Sequence, residues 1–183
     1  MPMNSLQTLS TDLTRSRGVA VIQTLDRARS ACTELIATLV LSGPLFVVAG
    51  SEWLPAYELT RMIRRNTIHV KQTLNRLFST RASTCYRLFD SLANLPSQGE
   101  PILILDFLHT LCDDDIPLPV RLFKLRQCCQ ELKRLAFYRP VIVMTQQMPV
   151  EEYETFISTI YPLTNQIFTL EPELETIQQP ALF

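Results

Sequence analysis

Pro101-Ile102-Leu103-Ile104-Leu105-Asp106 and Pro140-Val141-Ile142-Val143-Met144-Thr145 are the two stretches that decide how this chain folds. Each is a nearly unbroken apolar run, opened by a proline and closed by a polar residue. Alternating apolar and polar residues would mark a strand with one wet face. A continuous run marks a strand covered on both faces, the habit of parallel strands sandwiched between helices. Proline at a strand start removes an N–H that the ladder can spare. Between the two runs, residues 119–138 place Leu122, Leu125, Cys129, Leu132, Leu135 and Ala136 on one helical stripe. Strand, helix and strand then form a crossover unit of right-handed sense.

The same alternation extends to both sides. Gly43-Pro44 opens a strand at 45–49, closed by Gly50. Thr67-Ile68-His69-Val70 reads as a short strand, and Val19–Ile22 and Gln166–Leu170 as the first and last strands. Helical patterns fill 27–41, 56–65, 83–95 and 150–160. This order predicts a three-layer α-β-α domain with a doubly wound, mainly parallel sheet. Its expected span is 17–171, with poorly packed ends at 1–16 and 172–183. At 183 residues, the chain is long enough for one substantial core.

A hydrophobic content of 46% and a mean hydropathy of +0.10 fit a globular protein. The best candidate for a membrane span, Leu35–Val48, is broken by Ser42-Gly43-Pro44 and falls short of the ~18 apolar residues required. The first residues lack the apolar segment of a secretory signal. The expectation is a cytoplasmic protein with no membrane partner. Cys32, Cys85, Cys112, Cys128 and Cys129 are odd in number and contain no C-x-x-C pair, so reduced, packed thiols are expected rather than disulfides or a metal site.

Net charge is −1, unevenly spread. Arg61, Arg64, Arg65, Lys71, Arg76, Arg81 and Arg87 fall within 61–87, where no acid occurs. Beyond Arg139 there is no Lys or Arg, while Glu151, Glu152, Glu154, Glu171, Glu173 and Glu175 are acidic. Two readings of the basic segment stay open: a solvated face, or a docking patch (Arg61, Arg64, Arg65, Arg76, Arg81) for an acidic protein or nucleic acid. The helical face at 56–65 predicts that at least two of Arg61, Arg64 and Arg65 meet solvent.

Asp106, at the carboxyl end of a strand, would face the crevice where α/β proteins bind ligands. It could equally cap the following turn. His69 and His109, the only histidines, have no indicated nucleophile beside them, so a hydrolase triad finds no support. Asp113-Asp114-Asp115, before Ile116-Pro117, reads as a solvated capping loop rather than a cation site. Trp53, after a strand end, could anchor a partner or close the core.

The stretch PILILDFLHTL, the long helix to Tyr138 and RPVIVMTQQ together resemble the second half of the RecA/KaiC-type ATPase core. In that family a strand ending in Asp, there to hold Mg²⁺, precedes a long helix, and the next strand ends in a polar motif that senses nucleotide. The resemblance implies these roles for Asp106 and for Thr145-Gln146-Gln147. It also implies that Glu52, after Val47–Gly50, stands where the family keeps its catalytic acid, and that Arg81–Tyr86 enters the next helix. The family's phosphate loop would fall at 23–31, and there this chain has no glycine and no lysine. Without glycines the backbone cannot close on phosphate, and without the lysine its charge is not met. The loops that grip DNA in the family would be 109–119 and 147–152. Here they are short and acidic where charged, which opposes phosphate. The expectation is a degenerate nucleotide site (Glu52, Asp106, Thr145, Gln146), with no metal and no cofactor, in a non-catalytic accessory or scaffolding protein. It would dock on a protein partner or on itself, and the resemblance suggests DNA recombination or repair as the setting. The alternatives are a divergent ATPase and a nucleic-acid-binding accessory protein.

Overall fold

A computed structural model describes residues 10–13, 18–24, 29–50, 56–113, 115–146 and 151–170. The elements run β1 (Gly18–Thr24), α1 (Arg29–Ser42), β2 (Leu45–Ala49), α2 (Ala56–Asn66), α3 (Val70–Leu74), β3 (Leu77–Arg81), α4 (Cys85–Ala93), β4 (Ile102–Leu105), α5 (Leu118–Ala136), β5 (Pro140–Gln146), α6 (Tyr153–Ile160) and β6 (Thr164–Leu170). The six strands among the described residues are all parallel, in the order β3-β2-β4-β5-β1-β6. The expected α/β architecture is the one observed, and α5 makes the crossover from β4 to its neighbour β5.

The apolar runs work as two-faced strands. Val19, Val21, Val48, Ile102, Ile104, Val141 and Val143 point into one core, against Cys85, Leu88 and Leu92 of α4, Leu125, Leu132 and Leu135 of α5, and Phe156 and Ile160 of α6. Their sequence neighbours Ala20, Ile22, Val47, Leu103, Ile142 and Met144 point into a second core, against Leu35, Ile36, Leu39 and Val40 of α1 and Leu59 and Ile63 of α2. Residues 10–13, inside the stretch expected to be a poorly packed end, form a helical turn whose Leu13 is buried in this second core.

One strand lies elsewhere than expected. Residues 67–70 are not a strand: Thr67 Oγ1 accepts from the His69 N–H at 3.1 Å, closing a turn, and α3 starts at Val70. A β-branched pair had suggested a strand there, but the Thr hydroxyl offers the backbone a local partner instead. The third strand is Leu77–Arg81, which pairs only with β2. It is a sheet edge with mixed polar and apolar residues, so no apolar run marks it.

Two glycines are positional. Gly18 has φ +124°, and a Cβ there would collide with Asn165 Oδ1, the atom that accepts the Val19 N–H at 3.1 Å. At Gly50 a Cβ would lie 2.7 Å from the Asp106 carbonyl and 2.8 Å from that of Leu105, both backbone. The Gly50 N–H donates to Leu105 O at 2.9 Å, so the ends of β2 and β4 meet too closely for any side chain.

Candidate functional site

The carboxyl ends of β1, β5 and β4 lie side by side, with β5 in the middle. β1 and β5 register Gln23 against Thr145 and Thr24 against Gln146. The Thr24 hydroxyl reaches the Thr145 carbonyl at 3.5 Å. The Phe107 N–H, just past Asp106, donates to Met144 O at 3.1 Å. Thus Asp106, Thr145 and Gln146 share one edge of the sheet, with Gly50 beside them. Glu52 and Trp53 lie outside the described residues, as do 25–28 of the expected phosphate-loop position.

Asp106 sits in the left-handed region (φ 51°), a conformation that Asp tolerates better than most residues. Its carbonyl accepts from the His109 N–H at 3.1 Å, so the residue makes the turn that lets Phe107 plunge into the core. Its charge is felt by Cys32 in the first turn of α1. Burial first, and the Asp106 charge second, push that thiol up to about 12. At neutral pH Cys32 is therefore a protonated thiol and a poor nucleophile. Burial does the same to Cys128, to about 12, and to Cys129, to about 11.

Sequence reasoning missed a polar cluster beside these residues. Gln23 Nε2 donates to the Tyr161 hydroxyl at 2.9 Å. Tyr153, at the start of α6, is buried with its hydroxyl toward Gln23 and Thr145. Burial raises its pKa, and the nearby Gln23 and Thr145 side chains partly offset the rise. Neither the Tyr153 nor the Thr145 hydroxyl closes a well-formed hydrogen bond. A buried Arg121 in the first turn of α5 lies close by. Its Nη1 donates to Leu111 O and its Nη2 to Glu152 Oε1, both at 3.4 Å, and its guanidinium stands 5.9 Å from the Phe156 ring centre. One signal could have exposed it. Arg121 extends the inward spacing of Leu125, Cys128, Leu132 and Leu135 by one more turn, so an arginine holds a core position.

His69 and His109 are both exposed, and Asp113 Oδ1 accepts the Asp115 N–H at 3.1 Å in a self-capped turn. Among the described residues, no group of three His, Cys, Asp or Glu is placed to hold a metal ion. No described helix is long and apolar enough to cross a membrane. The edge thus offers hydroxyls, amides, a neutralised ion pair and one carboxylate.

The basic residues are divided over the molecule, with Arg81 at the carboxyl edge of the sheet, at the end of β3 opposite Ala49. Arg61, Arg64 and Arg65 are all exposed on α2. Arg76 and Arg81 are exposed at opposite ends of β3, about 16 Å apart at the strand's rise per residue. Arg81 lines an open cleft of about 480 Å³ with Arg87, Asp90 and Phe46. The five arginines therefore make no single patch. The α2 group does form one, and it is bracketed by the two most exposed large apolar side chains described, Tyr57 (80% exposed) and Ile68 (90%).

Comparison with protein-family models and with curated proteins finds no match for this sequence.

Proposed function

We propose that this protein is a non-catalytic, RecA-like accessory or scaffolding protein that acts by docking on another protein. The observation that carries the docking is the outer face of α2. Tyr57, Arg61 and Arg64 follow each other at four- and three-residue spacing, so they share one side of the helix; Arg65 flanks them and Ile68 continues past its end. An aromatic and an aliphatic side chain in the open cost solvation and serve no core, whereas at an interface they anchor. The arginines between them favour fixed contacts to carboxylates. The non-catalytic part rests on the missing glycines and lysine at 23–31. The RecA-like part rests on the motif resemblance, supported by the adjacency of the Asp106 and Thr145 strand ends.

The test is co-isolation of the protein and its R61A/R64A/R65A variant at ~0.15 M salt, beside calorimetry with Mg-ATP. A defined partner retained by the parent and missing from the folded variant is expected, with no heat at ~0.1 mM nucleotide. Micromolar ATP affinity abolished by Asp106→Ala would replace this reading with the divergent ATPase. The exposed α2 arginines also suit a second reading, DNA binding. In that case the triple variant weakens binding across all sequences and flattens the salt slope by roughly one unit for each phosphate no longer neutralised.

A further inference from the structure

We propose that the outward face of α5 is a second docking seam, shaped for an acidic amphipathic helix of a protein partner. On that face Phe123, Arg126, Gln130, Lys133 and Phe137 recur at alternating intervals of three and four residues. All five are exposed, while Leu125, Cys128, Cys129, Leu132 and Leu135 bury the opposite face. A three-four alternation is the spacing along which one helix packs on another in coiled-coil fashion. Here the seam looks away from the core and into solvent.

The ends of the seam are apolar. Phe123 is 58% exposed and Phe137 is 71% exposed. Phe137 keeps helical backbone at the α5 C-cap, so it continues the stripe, and its ring stacks edge-on against Tyr138 at 4.9 Å and 75°. On another side of α5, the Lys124 ammonium lies 4.6 Å from the Phe89 ring centre and 5.2 Å from that of Tyr86, which ties α5 to α4. The contact with Tyr138 limits the freedom that the Phe137 ring has to lose on binding.

The middle of the seam is basic. Arg126 and Lys133 stand in the open. Of the acids near it, Glu131 is held by Arg134 at 2.6 Å, and Asp90 lies across on α4. Charge complementarity asks for carboxylates opposite Arg126 and Lys133, and the terminal rings ask for apolar side chains. From Phe123 to Phe137 the helix rises about 21 Å, so a partner helix of about four turns spans the seam. Nucleic acid would use the cations and leave the two rings without work. This surface lies in the helical layer opposite α2, so it does not depend on the α2 arginines.

The experiment titrates the full chain, at ~0.15 M salt, with a stapled helical peptide carrying Leu-Glu-Gln-Glu-Leu at the five facing positions. A second peptide carries Lys for Glu. The expected result is binding of the Glu peptide only. The charge-swapped R126E/K133E variant should lose the Glu peptide and gain the Lys peptide, and Phe137→Ala should weaken the Glu peptide about tenfold. Unchanged urea midpoints show that the variants keep their fold, and Phe123→Ala repeats the test at the other end. Equal affinity for both peptides, no binding of either, indifference to the charge swap, or a duplex DNA that binds through Arg126 and Lys133 with Phe137→Ala silent would overturn the proposal.

Discussion

Arg139 and Arg121 are both buried arginines, at opposite ends of α5, and they are held very differently. At the amino end of the sheet, Arg139 donates to Pro96 O at 2.6 Å and to Glu100 O at 3.1 Å. Arg134 adds bonds to Ser97 Oγ, Leu92 O and Leu95 O between 2.8 and 3.1 Å. The two guanidiniums thus replace regular structure for the loop between α4 and β4, by satisfying its carbonyls. At the carboxyl end, Arg121 reaches Leu111 O and a half-buried Glu152 at 3.4 Å each. Short, multiple bonds mark a clamp. The Arg121–Glu152 contact is longer and goes to a partner that reaches water, at the edge where α/β proteins bind ligands.

The sharpest way to break this comparison is at the clamp. Arg139→Ala should destabilise by about 3 kcal/mol, since it removes two short bonds to the part-buried Pro96 and Glu100 carbonyls and empties a packed site. Urea unfolding measures it, and a loss below that of Arg121→Ala would erase the distinction drawn here. Gly50→Ala comes next, at roughly 2 kcal/mol, because its Cβ meets two backbone carbonyls that cannot step aside. Arg121→Ala should cost about 1.5 kcal/mol, since it leaves the buried Leu111 carbonyl without this donor while Glu152 turns to solvent. The smallest effect concerns pH. Cys32 and Cys128 have pKa values raised from 9.0 to about 12 in the fold, so their neutral forms are favoured there. The stability they contribute is complete below pH 9 and is lost as pH rises through 12. Disulfide-exchange labelling at pH 8–9 should therefore be slow in the native protein and fast in urea. Fast native labelling of Cys32 would mean that the carboxyl edge opens readily.

What could be read from the sequence follows burial. β4 and β5 sit mid-sheet with helices on both sides, so their residues had to be apolar throughout, and the run announced the strand. β3 lies at the edge. Three of its five residues are exposed and none is buried, and Phe78-Ser79-Thr80 carries no period worth noticing. Thr67–Val70 had the composition of a strand, yet a single hydroxyl bond closed it into a turn. The site shows the same division. The strand-end positions of Asp106, Thr145 and Gln146 were legible because these residues end apolar runs. Tyr153 and Gln23 were not, because they meet only once α6 folds back over the ends of β1 and β5, and no local spacing encodes that meeting.

The position of β1 has a consequence in time. It lies between β5 and β6, and Val19 is paired with Val141 on one side and Thr164 on the other, both more than a hundred residues later in the chain. At synthesis rates of about 5–20 residues per second, the first strand leaves the ribosome roughly ten seconds before either partner exists. During that interval Val19, Ala20, Val21 and Ile22, all buried in the finished sheet, have no strand to pair with. The β2–β3–β4 half, whose partners are close in sequence, can assemble first. The sheet is then completed when the last strands arrive and enclose the first.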